Sequence, residues 1–509
     1  MTKMFFLLAS STLAMIATTP AIGQSMQHDG MTMPMPAAHK PAAHKPAAHK
    51  PAVKKPVPKK PAVARATPRK PAAAKPVTVT EPAPVAEPLV ALPSPSTSTA
   101  DHSAMGHAAP ATNPAVMAGM DHVMTGALGR YPSTREASGT AWQPDASAHQ
   151  GIMTKAGDWM LMGHGTLNLV ADTQSGPRGD DKLFASGMLM GMAQRPVGNG
   201  TLQLRAALSP DPLMGKRGYP LLLAAGETAD GVNRLVDRQH PHELIMELSA
   251  SVSQSIGQGN SIFIYGGLPG EPAFGPPAFM HREAIMDSPE APITHHWLDS
   301  THISFGVVTA GVVIGNAKFE VSRFNGREPD QNRFDIETGK LDSTAVRASW
   351  NPTRTLSLQG SFGRFIDSEQ LEPGVDQTRW SASALYAREI SPGLKFATGF
   401  AWGRKTAEGH SDDAFALEAS LKKGGWTAFA RGEVTEQREL VETDTEEHGL
   451  AYRVAKASLG VVRDFRIAKT VSLGLGGLVS INAVPDALAP LYGGNNPLGA
   501  MGFVRLRLM

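Results

Sequence analysis

Residues 159–170 alternate with a period of two: Leu161, Gly163, Gly165, Leu167 and Leu169 fall on one face, and Met160, Met162, His164, Thr166 and Asn168 on the other. Successive side chains of a strand point to opposite sides, so this is a strand with lipid on one side and a polar lumen on the other. Further runs of strand character occupy 183–194, 201–208, 243–256, 261–268, 301–313, 316–325, 342–350, 355–365, 376–389, 394–404, 412–421, 425–437, 449–464, 470–482 and 499–508. In the last, Val504, Leu506 and Leu508 alternate with Arg505 and Arg507. The links are tight at 196–200, 257–260, 315, 351–354, 390–393, 422–424 and 465–469, and mostly long in between, as at 209–242, 269–300, 326–341 and 483–498. Turns at one end and long loops at the other describe an all-β fold, a transmembrane antiparallel β-barrel of about 16 strands, within a range of about 12–18, turns on the periplasmic side.

The N-terminal quarter has a different character. Lys3, an apolar stretch at 4–17 and Ala21-Ile22-Gly23 predict a signal peptide over 1–23. Residues 24–124 are rich in Pro, Ala, Lys and His and poor in large aliphatic side chains, which predicts a disordered tail. Within it Ala-Ala-His-Lys-Pro recurs, spacing His39, His44 and His49 along an extended chain. Lys and Arg number 12 in residues 1–124 against 5 Asp and Glu, so the remainder carries a net −5. A basic tail on a mildly acidic body suits a solvated periplasmic spacer, with anionic cell-wall or lipid groups as alternative partners. Nucleic acid is disfavoured as a partner because a secreted protein rarely meets it and no aromatics are interleaved with the charges. The predicted organisation is signal peptide 1–23, tail 24–124, lead-in segment 125–157 and barrel 158–509. With no cysteine, disulfide frameworks and thiolate sites are excluded.

Methionine and histidine cluster at both ends of the tail: Met26, His28, Met31, Met33 and Met35, then His102, Met105 and His107, then Met120, His122 and Met124. Thioether sulfur is a soft donor that suits Cu(I), and imidazole suits Cu(II), so mixed runs without cysteine point to copper ions. The alternative is a compositional accident in a disordered segment.

The longest loop, 268–302, carries prolines at 269, 272, 276, 277, 289 and 292, which keep it out of either flanking strand. Phe274, Phe279 and Trp297 argue that it packs rather than floats. It holds His281, His295 and His296, and the preceding loop ends in His240-Pro241-His242-Glu243. Imidazoles at i and i+2 of an extended chain share a face, so these five histidines are candidate ligands for Cu(II) or another divalent ion, with hydrogen-bonded rim histidines as the alternative. Met160 and Met162 lie in phase with His164, and Met188, Met190 and Met192 with Ser186 and Gln194. These rows face the lumen unless a bulge slips the phase toward lipid.

The run from Tyr131 to Asp145, the stretch Gly270 to Arg282, His295-His296-Trp297 and Asn325-Gly326-Arg327-Glu328-Pro329-Asp330 resemble a proteobacterial outer-membrane β-barrel family associated with copper-resistance systems. The Met/His tail ahead of a barrel is similar in layout to copper-resistance protein B. The resemblance implies the outer membrane, with the tail in the periplasm, and a metal context; it implies no reaction. The expectation is a barrel that handles copper by binding, buffering or export, with outer-membrane lipid, metal ions and periplasmic copper proteins as partners. The alternatives are a general porin-like channel whose tail spans the periplasm, and a barrel enzyme built on the histidine loops. No nucleophile elbow, phosphate-binding glycine loop or His-Glu-x-x-His helix is present in the sequence to favour the enzyme.

Overall fold

A computed structural model describes residues 124–148, 151–441 and 450–508. Its strands in chain order are β1 (Ile152–Ala156), β2 (Trp159–Gln174), β3 (Asp181–Val197), β4 (Gly200–Leu208), β5 (Tyr219–Thr228), β6 (Arg234–Gln239), β7 (Ile245–Gly257), β8 (Asn260–Gly267), β9 (Val307–Ile314), β10 (Ala317–Phe324), β11 (Ser343–Thr353), β12 (Leu356–Phe365), β13 (Gln377–Ser391), β14 (Leu394–Ala407), β15 (His410–Lys423), β16 (Trp426–Gln437), β17 (Tyr452–Ala468), β18 (Val471–Ala483) and β19 (Leu498–Leu508). Strands β2–β4 and β7–β19 pair antiparallel in sequence order. β4 passes directly to β7, and β19 returns to β2 with Leu508 opposite Gly165 and Gly499 opposite Gln174. The result is a closed 16-stranded antiparallel barrel, a porin-like transmembrane architecture. Short β1 continues the same edge of β2 beyond the end of β19, with Ile152 opposite Gly163.

The alternating runs all become barrel strands, most with ends moved by a few residues and one start moved further. The run at 301–313 begins as a strand only at Val307, because Ser300–His302 form a 3-10 turn. The links β3–β4, β7–β8, β9–β10, β11–β12, β13–β14, β15–β16 and β17–β18 are two residues each and all lie at one end. At the other end β14–β15 alone is as tight, with Glu408 and Gly409 both at positive φ.

Facing follows the alternation. On β18, Leu478 is buried toward the lumen while Val479 is 61 % exposed on the outside, and Leu183 and Leu475 are exposed in the same outward row. Trp350, Trp426 and Phe465 stand exposed near the turn end and Trp380 near the loop end, where a barrel's aromatic belts meet the headgroups. No helix among the described residues is long and apolar enough to cross a membrane, and the strands do the crossing. Val479→Arg is accordingly expected to destabilise the barrel in lipid by about 2–4 kcal/mol if it lies near the bilayer midplane, since nothing there solvates the charge. Urea titration in vesicles measures it, and an unchanged midpoint would contradict the outward assignment.

The barrel is filled. The loop 268–306 turns inward and is buried along almost its whole length. Its acids meet basic side chains of the wall: Asp287 takes Arg505 at 2.7 Å, Arg507 at 2.6 Å and Lys422 at 2.9 Å, and Glu290 takes Lys456 at 2.6 Å and Arg431 at 3.2 Å. Its backbone is held by Ser322 of β10, Ser361 of β12 and Ser420 of β15. The proline-rich chain lacks ladder partners, so wall side chains supply its hydrogen bonds. The segment 124–148 also packs inside: Ser253 of β7 donates to the Ala127 carbonyl at 2.6 Å, Arg205 of β4 to that of Gly139 at 2.6 Å, and Asn351 of β11 to that of Gln143 at 2.9 Å.

The loop predicted at 209–242 contains a hairpin, β5–β6. Tyr219 to Ala225 are buried on both phases, with Tyr219 stacked on Phe184 of β3 at 4.5 Å. A run apolar on both faces shows no alternation, so periodicity misses it.

Candidate metal centre

The inner hairpin and the long loop each deliver part of one histidine cluster. Strand β6 runs straight into His240 and His242, while Pro292 introduces a single helical turn, His295–Leu298, followed by the 3-10 turn that ends at His302. The rings of His242 and His302 are 5.1 Å apart between centroids, those of His295 and His302 5.3 Å, and those of His295 and His296 5.6 Å. His240 lies 5.9 Å from His295 and 5.6 Å from His296. All five are buried, and Phe279 covers His242 and His295 on one side.

Four of the five rings are held through Nδ1. His242 Nδ1 is 2.7 Å from Asp211 Oδ2, His295 Nδ1 2.8 Å from Asp299 Oδ1, His302 Nδ1 2.7 Å from the Asp299 carbonyl, and His296 Nδ1 3.2 Å from Glu328 Oε1. An acceptor on Nδ1 fixes the tautomer in which Nε2 carries the free lone pair, as at metal-binding histidines. The Nε2 atoms of His242 and His302 are buried with no hydrogen-bond partner among the described residues. That of His240 stands 3.2 Å from Glu227 Oε1, an ion-pair distance without hydrogen-bond geometry. Gly226 at φ +131° permits the approach of the hairpin, since a Cβ there would meet His296 Nε2 at 2.7 Å.

Burial pushes His302 down to about 3, with His242 and His295 adding repulsion, and holds His240 well below its usual range, with Arg333 adding to the effect. Burial also lowers His295, partly offset by Asp299. For His242 and His296 burial acts in the same direction, but Asp211 and Glu328 outweigh it and raise both above the ordinary histidine value. Three of the five rings are therefore set up neutral, the form that binds metal.

The structure thus brings together His240, His242, His295 and His296 of the predicted set and adds His302. His281 sits elsewhere, 6.0 Å from His164 of β2. A helical-turn spacing, His295 and Asp299 at i and i+4 with His302 three further on, was the signal for His302. Tail candidates Met26, His28, Met31, Met33, Met35, His102, Met105, His107, Met120 and His122 lie outside the described residues; Met124 is the first described one.

Glu369, Glu372 and Glu439 are the one group of three carboxylate or imidazole residues whose ligand atoms lie within 4.8 Å of one another among the described residues. Arg234 pairs with all three, at 3.4, 2.8 and 2.9 Å, so that trio is an arginine clamp.

No family model matches the chain, and no curated protein matches it in sequence. Among solved structures it is similar to the outer-membrane expressed OmpT of Vibrio cholerae, at 8% identity and TM-score 0.40 over 70% of this chain and 100% of that one. It is similar to the anion-selective porin from Comamonas acidovorans at 13% identity and TM-score 0.41, over 69% of this chain and 100% of that one. The outer membrane channel DcaP of Acinetobacter baumannii gives 12% and 0.36, over 70% and 100%.

Proposed function

We propose that the protein is an outer-membrane barrel that handles copper by holding the ion inside a filled lumen, with His242, His295 and His302 as ligands and His240 and His296 beside them. The observation that carries this reading is the set of Nδ1 anchors: Asp211 and the two functional groups of Asp299 orient three neighbouring rings. Structural histidines need no acceptor on every Nδ1, and two buried Nε2 atoms without partners cost stability that a bound ion would return. In this reading the tail at 24–124 extends into the periplasm and its Met/His clusters collect Cu(I) for the barrel, in contact with periplasmic copper proteins or the cell wall. The second reading is a general porin-like channel, which the closed 16-stranded barrel favours; the ion-paired loop across the lumen would then be its constriction.

The test compares the full chain with its His242→Ala/His302→Ala variant after loading with Cu(II) in air and dialysis. Tail binding is common to both proteins, so the variant is expected to hold about one ion fewer per chain while remaining heat-modifiable on gels. Equal metal content in a folded variant would end the histidine-site reading.

A further inference from the structure

The inner faces of β2 and β3 present a second set of donors that the histidine cluster does not use. Cross-strand register places Met162 opposite Met192 and His164 opposite Met190, with Met160 opposite Gln194 next toward the turns. Directly opposed side chains of an antiparallel pair stand about 4.5–5.5 Å apart at Cβ, close enough for their ends to share one ion. Outward neighbours on the same strands, Leu183, Leu189 and Leu169, are exposed, so the methionine phase is the lumen phase with no slip. Facing this row from the long loop are His281, whose ring is 6.0 Å from that of His164, and Met286.

Together they line a cavity of 90 Å³. Met124, Met160 and Gln194 also line a wider cavity of 640 Å³ that opens among the turns. On its inner side, His164 and Met286 belong as well to a third cavity, of 80 Å³, whose wall includes His240 and His242. The thioethers therefore stand between the turn-side opening and the histidine cluster. Met190 and Met192 also pack with Met188, Ala207, Met246 and Ile303, yet a sulfur-bearing row is unusual for a lumen: such rows are ordinarily polar, and the charged rows of β16, β17 and β19 in this barrel are matched by loop acids.

We propose that Met162, Met190, Met192 and Met286, with His164 and His281, form a binding site for a soft monovalent cation, Cu(I), on the turn side of the histidine cluster. The site rests on the copper reading for its biological sense, but its chemistry is independent: thioether sulfur selects Cu(I) over hard and borderline divalent ions, whereas the histidine cluster suits divalent ions. Methionine is flexible enough to close around an ion without moving the backbone. Entry is from the turn side, where Met124, the first described residue, lines the opening.

The experiment loads the full chain anaerobically with Cu(I) and compares it with Met162→Leu/Met192→Leu, a nearly volume-conserving replacement that keeps the row apolar. Tail methionines are identical in both proteins, so the difference reports the lumen: the variant is expected to hold about one Cu(I) fewer and to show weaker sulfur scattering in X-ray absorption. The separate variant Met190→Leu, which leaves that pair in place, is expected to weaken Cu(I) retention against a chelator about tenfold or more. Equal Cu(I) content and equal retention in both folded variants would overturn the site. The outcome is separable from that of the histidine site, because the methionine variants should keep the divalent ion lost by His242→Ala/His302→Ala, and a failure of either site leaves the other measurement standing.

Discussion

Replacing Arg282 by alanine is expected to turn a barrel with a filled lumen into one that conducts ions in planar bilayers, and to lose the metal of the histidine cluster in the same step. Arg282 sits on the long loop with its guanidinium fully buried. Nε and Nη2 donate to Glu418 of β15 at 2.8 and 2.7 Å, and Nη1 donates to Asp299 at 2.5 Å and to the Pro277 carbonyl at 2.9 Å. Removing it leaves two buried carboxylates facing each other across the gap, an uncompensated charge that typically costs about 3–5 kcal/mol. The loop can escape that cost by leaving the wall around Arg282 and Asp299, while Asp287 and Glu290 keep their own basic partners further along; the barrel strands cannot move in the same way. Asp299 is also the residue that orients both His295 and His302. Burial raises the proton affinity of Asp299, but Arg282 foremost and His295 next hold it well below the usual carboxylate range, and without Arg282 it would compete for a proton. Arg282→Lys keeps a charge but not the fork, and should give an intermediate current. An Arg282→Ala barrel with the same conductance and protease resistance as the parent would show that the loop is held by the rest of its contacts.

Copper or another divalent ion at the histidine cluster should be bound progressively more weakly as pH falls from 7.5 to 6.5, by at most about tenfold, with at most about one proton released per ion. The sign follows from the anchors. Among the proposed ligands His242 is raised above its usual range by Asp211, acting against burial, so near neutral pH its ring still carries part of a proton that the ion must displace. His295 and His302 are lowered, His302 to about 3, and are already neutral there. Three unperturbed histidines would instead give a slope steepening toward three below pH 6.5. Titration calorimetry in buffers of different ionisation enthalpy counts the protons, and uptake that does not change over this range would exclude His242 as a ligand.

Much of the barrel was readable along the chain because its cause is local. A residue that faces lipid must be apolar and its neighbour must not be, so the period of two in Leu161 to Leu169, or in Val504 to Leu508, reports facing before any contact is known. Turn chemistry is equally local, and the tight links fell where the strands reverse. The lumen phase of Met188, Met190 and Met192 followed from the same alternation, and the register of β2 against β3 agrees with it.

What tertiary structure alone decided lies inside that wall. The hairpin β5–β6 escaped notice because Leu221, Leu222 and Leu223 are all buried, and a segment enclosed on every side carries no periodic signature. Sequence could name the histidines as a group but not sort them. His302 joins the cluster because residues 300–302 coil into a turn before β9 begins, and His281 leaves it because the loop turns toward β2. The anchors that make the site, Asp211 on His242, Glu328 on His296 and Glu418 on Arg282, are 31, 32 and 136 positions away in the chain. Alternation specifies which way a side chain points; what it meets there depends on how a loop without a ladder of its own settles among the charges of the wall, and that balance exists only once the barrel has closed.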